Sequence, residues 1–180
     1  SYNGPNATIS YQDLEEVWRV FNWVYLVIYR PEQAEELRAI IGADLDDFTM
    51  YQRALERARA RLDNDAFAWF DVGSNQTGLG HYDEAAAAYD RARLLGLPWR
   101  MLWYQFGPFE AYYAVGRYQD VLDLAQANLR TSKDLEESHY YRGLALEALG
   151  KIEEARQAYQ MALKYNPNFR RAAEALTALD

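Results

Sequence analysis

Glycines at a regular spacing divide the hydrophobic and polar pattern of the chain into similar units. Gly80, Gly116 and Gly150 lie 36 and 34 residues apart, and each follows an apolar residue. An alanine-rich amphipathic stretch comes after each glycine, with Tyr89 and Tyr159 at matching places in the first and third stretches. This period predicts pairs of helices joined by glycine turns, which bury their apolar faces by stacking on one another.

Small residues recur where such helices would approach closely. They are Gly73, Ala85, Ala92, Gly143, Ala155 and Ala162. Together with the glycine turns, they resemble the tetratricopeptide repeat, which has a small residue in helix A and an alanine–aromatic–alanine pattern in helix B. The resemblance covers three repeats between Ala66 and about Asn168. It implies an all-α superhelix of helical hairpins.

The second repeat departs from this pattern at three places. Phe109 stands where the small glycine of helix A falls, and Ala125 stands where the helix B aromatic falls. Gly107-Pro108 interrupts helix A, and we expect the proline to kink or break it there. A kink would reshape the concave face beside Phe106.

The repeats are flanked by further helical patterns. Residues 168–180 predict a terminal capping helix, so that residues 63–180 hold three repeats and their cap. Upstream, Phe48, Tyr51 and Leu55 follow helical spacing, and Pro31–Ile41 stops at Gly42. We interpret residues 31–62 as one degenerate hairpin before the repeats.

Residues 1–30 do not follow the repeat. Ser10 and Asp13 have the spacing of a capping box, and Leu14, Val17, Trp18 and Phe21 mark one face of a short helix. Residues 23–29 are seven apolar residues rich in β-branched and aromatic types, which predict a buried strand. Since a lone strand has no partner here, we expect this helix and strand to be the remnant of an upstream domain.

A second resemblance concerns the same segment. Tyr2-Asn3-Gly4, the capped helix and the apolar run resemble the end of a papain-like cysteine peptidase domain of the bacteriocin-leader-peptidase type. In bacterial proteins of that kind, repeats with a stretch similar to residues 97–108 follow. The resemblance implies that this chain, which begins at Ser1, is the non-catalytic C-terminal part of a longer bacterial protein.

The composition excludes several kinds of function for this chain. With 27 acidic and 19 basic residues the formal charge is −8, so the chain lacks the broad cationic surface that nucleic acid requires. No apolar run approaches the about 18 residues of a membrane helix, and no signal peptide is visible. There is no cysteine, which excludes thiol catalysis by this chain. Both the cytoplasm and the bacterial envelope remain open as its location.

Catalytic, cofactor and metal sites are not indicated. His81 follows a turn glycine, and His139 takes a bulky helix A position where a packed imidazole is expected. Neither has a ligand partner at metal-binding spacing, and Asp44, Asp46 and Asp47 lack the glycine and glutamate of a calcium loop. We therefore expect a chain that is not an enzyme and has no cofactor and no metal.

The remaining candidate is a concave groove lined by helix A. In tetratricopeptide repeats the second, fifth, ninth, twelfth and thirteenth positions line this surface. Projected onto the chain, the resemblance gives Phe67, Phe70, Ser74, Thr77, Trp103, Phe106, Glu110, Tyr113, Tyr140, Leu144 and Glu147. The lysines and asparagines that clamp a peptide carboxylate are absent. An aromatic groove with acidic margins suits an apolar or basic segment of a peptide or protein.

Three alternatives stay open at this point. Trp99, Tyr104 and Phe109 suit the core as well as the groove, since aromatic residues at helical spacing are common in cores. The repeats could brace the upstream domain, with the groove filled by the same polypeptide. The chain could also form a homodimer by edge pairing of residues 23–29. The identity of the partner cannot be read from the sequence.

Overall fold

The chain folds into consecutive helices. The computed structural model describes residues 8–22, 24, 27–98 and 100–179, and these residues form ten α-helices. The helices are α1 (Tyr11–Arg19), α2 (Ala34–Ile41), α3 (Asp47–Arg59), α4 (Ala66–Gly78), α5 (Tyr82–Leu95), α6 (Gly107–Ala114), α7 (Tyr118–Thr131), α8 (Glu136–Ala148), α9 (Ile152–Tyr165) and α10 (Arg170–Ala178). Short 3₁₀ turns cover Pro31–Gln33, Gly42–Leu45 and Met101–Trp103. In this part of the chain no helix is long and apolar enough to cross a membrane.

Three hairpins form the body of the fold, namely α4–α5, α6–α7 and α8–α9. Each turns at a predicted glycine, whose φ is +77° at Gly80, +75° at Gly116 and +74° at Gly150. After Gly80, the N–H of His81 donates to the carbonyl oxygen of Gln76 at 2.9 Å. Arg117 and Lys151 repeat this bond after the other two glycines. Glycine is favoured here because the left-handed backbone carries no Cβ penalty for it.

The small glycines of helix A seat the large tyrosines of helix B. A Cβ added at Gly73 would lie 2.5 Å from the Tyr89 ring, and one added at Gly143 would lie 2.3 Å from the Tyr159 ring. Both tyrosines have no exposed surface. The hairpins therefore close at distances that no side chain larger than glycine permits at these two positions.

The second hairpin reaches the same packing with the sizes exchanged. Phe109 of α6 and Ala125 of α7 are both fully buried in the same core. The Phe109 ring stacks on Tyr141 of α8 with ring centroids 4.9 Å apart. The large residue on helix A and the small one on helix B thus fill the space that glycine and tyrosine fill elsewhere.

Both ends of the array are covered by further helices. At the C-terminal end α10 packs on α9 with Ala172 fully buried, which confirms the predicted capping helix. At the N-terminal end α3 packs on α4, where a Cβ added at Gly78 would lie 2.5 Å from the Tyr51 ring. Helix α2 contacts the Gly42–Leu45 turn that leads into α3.

Helix α1 forms as predicted, but the strand after it does not. The Ser10 side chain accepts a hydrogen bond from the Asp13 N–H at 3.0 Å and caps the helix. Trp23, Tyr25 and Leu26 lie outside the described residues, and the remaining residues of the run, Val24 and 27–29, are not in a strand. The strand prediction is wrong for these residues, since no second strand is present among the described residues to pair with them.

Candidate functional site

The groove residues predicted on α4 divide between core and surface. Phe70 is 2% exposed and packs edge-on against Tyr89, with ring centroids 5.1 Å apart. Phe67 is half-buried, as are Ser74 and Thr77. The Tyr89 hydroxyl lies 3.4 Å from Ser74 Oγ and 3.3 Å from Thr77 Oγ1. Phe70 therefore belongs to the core, while Phe67 keeps some exposed surface. The hydroxyl groups of Ser74 and Thr77 are held by the buried Tyr89.

The projection onto helix A is wrong for two residues of the second repeat. Trp103 lies in a 3₁₀ turn and Phe106 is the N-cap residue of α6, because Pro108 stands in the first turn of that helix. A proline is accommodated there, where its missing N–H costs nothing. The interruption thus shortens the helix to eight residues instead of kinking it. Phe106 still stacks on Tyr141, with ring centroids 5.9 Å apart.

Glu110 and Tyr113 lie on the short helix α6. Glu110 is exposed and Tyr113 is half-buried. The Tyr141 hydroxyl donates to Glu110 Oε1 at 2.9 Å, which joins α8 to α6. Burial and the nearby Glu110 carboxylate raise the pKa of Tyr141, so this hydroxyl keeps its proton.

The third repeat supplies Tyr140, Leu144 and Glu147. Tyr140 is 7% exposed and contacts Phe169 edge-on at 5.4 Å, whereas Leu144 and Glu147 are half-buried. The Tyr159 hydroxyl donates to Glu147 Oε2 at 2.6 Å. Each groove glutamate is therefore oriented by one tyrosine hydroxyl from a neighbouring helix.

An apolar cavity opens where α6 is short. It has a volume of about 210 Å³. Its lining residues are Phe70, Tyr89, Arg93, Leu97, Pro98, Leu102 and Pro108. The start of α6 comes close to Tyr89, since a Cβ added at Gly107 would lie 2.1 Å from the tyrosine hydroxyl oxygen. The sequence did not predict this cavity, although the Gly107-Pro108 pair indicated that α6 is interrupted there.

A charged network that the sequence did not indicate ties α5, α6 and α7 together. The Tyr112 hydroxyl donates to Asp90 at 2.7 Å, and Arg117 donates to both oxygens of Asp90 at 2.6 and 3.0 Å. The Arg117 guanidinium also lies 4.4 Å from the centre of the Tyr112 ring. Burial, with Asp90 adding to it, raises the pKa of Tyr112 to about 12. Each charge in this network has a partner, so its role is to hold three helices together.

The two histidines take structural positions. His139 is 7% exposed, its Nε2 lies 2.9 Å from the Lys133 carbonyl oxygen, and its ring stacks on Tyr165. Burial lowers its pKa. His81 Nδ1 lies 2.9 Å from the Gln76 side-chain oxygen. Within the described ranges, no group of three or more His, Cys, Asp or Glu could hold a metal ion.

Comparison with known proteins supports the repeat fold. Residues 136–169, which span α8 and α9 and end just before α10, match the family described as "Tetratricopeptide repeat". No curated protein matches the chain.

Among the solved structures that match, two cover most of this chain. "MamA 41-end from Desulfovibrio magneticus RS-1" has a TM-score of 0.60 at 17% identity and covers 93% of this chain and 93% of its own. "MamA RS-1 ArsTM double mutant" has a TM-score of 0.58 at 21% identity and covers 84% of this chain and 94% of its own. At these identities the likeness shows the fold alone, which is all-α and built of tetratricopeptide-type hairpins. That fold is generally a non-catalytic scaffold for protein–protein interaction.

Proposed function

We propose that this chain is a protein-binding module that holds an extended segment of a partner against the helix A side of its hairpins. The observation that carries the proposal is the pair of glutamates, Glu110 and Glu147, each fixed by a tyrosine hydroxyl. Tyr113 and Leu144 lie half-buried on the same two helices and supply apolar contact area. Polar groups held in place beside apolar surface are typical of sites that bind peptides.

The predicted groove residues differ in whether they can contact a partner. Phe70 and Tyr140 are buried, so they shape the groove from below and do not offer a contact surface. Ser74, Thr77, Glu110, Tyr113, Leu144 and Glu147 form the proposed contact set, with Phe67, Trp103 and Phe106 at its margin. The cavity beside Phe70 offers room for one apolar side chain of the partner.

The test begins with a random peptide library selected against the whole chain, from which the tightest peptide is kept as the probe. Its affinity is then measured for a Tyr113→Ser/Leu144→Ser variant. The control is Tyr82→Ser/Ile152→Ser, which changes two residues of similar size that are each 39% exposed at the start of α5 and α9. We expect at least a tenfold loss in the groove variant alone, and an equal affinity of both variants would contradict the groove assignment.

A second candidate function is a brace for an upstream domain. Its support is the contact between the N-terminal segment and α4: Arg19 pairs with Asp65 at 2.5 Å, and Asn22 exchanges two amide hydrogen bonds with Asn75 at 2.8 and 3.2 Å. Neither Asp65 nor Asn75 is a predicted groove residue, so this docking leaves the proposed contact set unused. Under this proposal the chain would be the C-terminal part of a peptidase-like protein.

Self-association through residues 23–29 is a third proposal. Val24 is 71% and Ile28 is 91% exposed, which leaves apolar surface for a second copy. Light scattering at high concentration tests it: an Ile28→Lys variant should be monomeric where the natural chain dimerises. A natural chain that is strictly monomeric would contradict this proposal and leave the peptide-binding proposal intact.

A further inference from the structure

We infer that the groove selects partner segments by their basic side chains, through the carboxylates of Glu110 and Glu147, called here the groove glutamates. The inference rests on the proposed function and names the chemistry of the partner. It commits to an extended segment that carries arginine or lysine next to apolar residues. Three observations carry it: the orientation of the groove glutamates, the pairing of the other carboxylates, and a guanidinium seated on the same surface.

Each groove glutamate is held in place but has bonding capacity left. Glu110 is exposed and Glu147 half-buried, and each accepts a tyrosine hydrogen bond, from Tyr141 at 2.9 Å and from Tyr159 at 2.6 Å. A carboxylate accepts about four hydrogen bonds, so each one can receive a bidentate guanidinium or an ammonium group. Because the tyrosines fix the rotamers in advance, less conformational entropy is lost on binding.

The other carboxylates that are held by hydrogen bonds differ, because many of them already have a cation. Asp90 pairs with Arg117 at 2.6 Å, Asp65 with Arg19 at 2.5 Å, and Asp44 with Arg53 at 2.6 Å. Within the described part of the chain, neither groove glutamate forms an ion pair with a lysine or arginine. On a chain of formal charge −8, these two negative charges are available to a partner.

A guanidinium of the chain itself already lies against this surface. Arg171 of α10 stands 4.8 Å from the centre of the Tyr140 ring and 5.9 Å from that of Tyr141. Tyr141 is also the residue whose hydroxyl holds Glu110. A guanidinium is thus already accommodated next to the tyrosine that holds Glu110, and this observation is independent of the glutamates themselves. A basic side chain of the partner would extend this arrangement from Arg171 toward the groove glutamates.

The second glutamate lies in a similar setting. The Tyr159 hydroxyl holds Glu147 at 2.6 Å, and the Tyr159 ring packs on Tyr140 with ring centroids 6.0 Å apart. Tyr113 of α6 packs on Tyr118 with ring centroids 5.4 Å apart. Glu147 is therefore held by a tyrosine that packs on Tyr140, as Glu110 is held by Tyr141, whose ring also packs on Tyr140. Two such places on neighbouring helices favour a partner with two basic residues.

The probes for the test are two synthetic peptides. One alternates leucine with arginine, and the other has citrulline in place of each arginine, which keeps the shape and removes the charge. Binding to the whole chain is measured by calorimetry at 50 and 300 mM NaCl. We expect the arginine peptide to bind at least tenfold more tightly than the citrulline peptide at 50 mM, with a smaller difference at 300 mM because salt screens the attraction.

Matched variants locate the effect. Glu110→Gln/Glu147→Gln should abolish the preference for arginine, since glutamine still accepts the tyrosine hydrogen bonds but carries no charge. Glu153→Gln/Glu154→Gln in the first turn of α9 makes the same change of net charge and should retain the preference. Tyr141→Phe should reduce it partly, because Glu110 loses its fixed orientation while its charge stays.

The outcomes separate this inference from the proposed function. Equal affinity of the natural chain for both peptides, or an unchanged preference in the Glu110→Gln/Glu147→Gln variant, would overturn the role of the groove glutamates and leave peptide binding in place. Failure of both peptides to bind the natural chain, while the library peptide binds, would also overturn the charge inference alone. Failure of all three peptides would overturn the proposed function as well.

Discussion

Exchange of a large and a small residue between helices explains how the irregular second hairpin fits a regular array. In the first and third hairpins a glycine of helix A faces a tyrosine of helix B, as Gly143 faces Tyr159. In the second, Phe109 and Ala125 are both fully buried with the sizes reversed. When each position is compared with the repeat separately, Phe109 and Ala125 count as two departures from it. Because a core responds to total volume, the two changes compensate each other.

Asp71 and Asn75 mark the N-terminal face of the array. They occupy the places on α4 that Tyr141 and Ala145 occupy on α8, and they are 4% and 0% exposed. Burial and the neighbouring Asp65 raise the pKa of Asp71 to about 8, while Arg19 and Arg61 act in the opposite direction. The carboxyl group of Asp71 is therefore mostly protonated in the folded protein at pH 7.

Because of this raised pKa, we expect the Asp71→Asn substitution to stabilise the folded protein, by an amount that depends on pH. The folded state holds the Asp71 proton more tightly than the unfolded state, so the natural chain loses stability as pH rises from about 4, the unfolded pKa, to about 8. The asparagine of the Asp71→Asn variant does not titrate, so the variant does not lose this stability as pH rises. We expect the variant to unfold with a free energy roughly 4 kcal/mol higher at pH 7 and about equal at pH 4, since three pH units at about 1.4 kcal/mol each separate the two conditions.

Chemical denaturation at the two pH values measures this difference. Asp63→Asn serves as the control, because Asp63 is exposed and its substitution should change stability little at either pH. An Asp71→Asn variant with the same loss of stability between pH 4 and pH 7 as the natural chain would contradict the assignment of the titrating group.

Among the elements, the turn that follows α1 contacts the array through polar side chains of its described residues. Asn22 has a φ of +54° and exchanges two hydrogen bonds with the fully buried Asn75. The Trp18 indole donates to the Val24 carbonyl oxygen at 2.8 Å and closes the turn between them. Because hydrogen bonds to water replace such contacts at modest cost, the segment can open without unfolding the hairpins.

Removal of one amide should therefore loosen the segment. We expect Asn75→Ala to increase the rate of trypsin cleavage after Arg19 several-fold, because both amide hydrogen bonds to Asn22 are lost and opening becomes more frequent. Asn166→Ala breaks a hydrogen bond to Glu136 at the other end of the array, at 3.0 Å in the natural chain, and should leave this rate unchanged. Mass spectrometry of the early fragments measures both rates. Equal rates in the two variants would show that Asn75 does not hold the segment.

The sequence predicts helices well where local signals and packing agree. The turns at Gly80, Gly116 and Gly150 follow from a left-handed backbone that glycine favours, and the cap at Ser10 follows from its own side chain. The apolar run at 23–29 misleads because β-branched residues form a strand only when another strand is present to pair with it. That condition depends on the whole fold and cannot be read from the run itself.

At the scale of the whole molecule, the groove was harder to predict than the hairpins that form it. A projection of repeat positions assumes helix A of full length, and Pro108 starts α6 late, which moves Trp103 and Phe106 off the helix. The projection does name Glu110 and Glu147, but the tyrosine hydroxyls that orient them come from α8 and α9. Such contacts between distant residues appear only once the hairpins are stacked.

Binding of a partner on the helix A side of the stacked hairpins can be located residue by residue. Nuclear magnetic resonance of the isotope-labelled chain, titrated with the arginine peptide, tests it most directly. We expect shift changes concentrated on α6 and α8, at Glu110, Tyr113, Leu144 and Glu147, with little change on the exposed sides of α7 and α9. Changes confined to α7 and α9, or to the N-terminal segment, would contradict it.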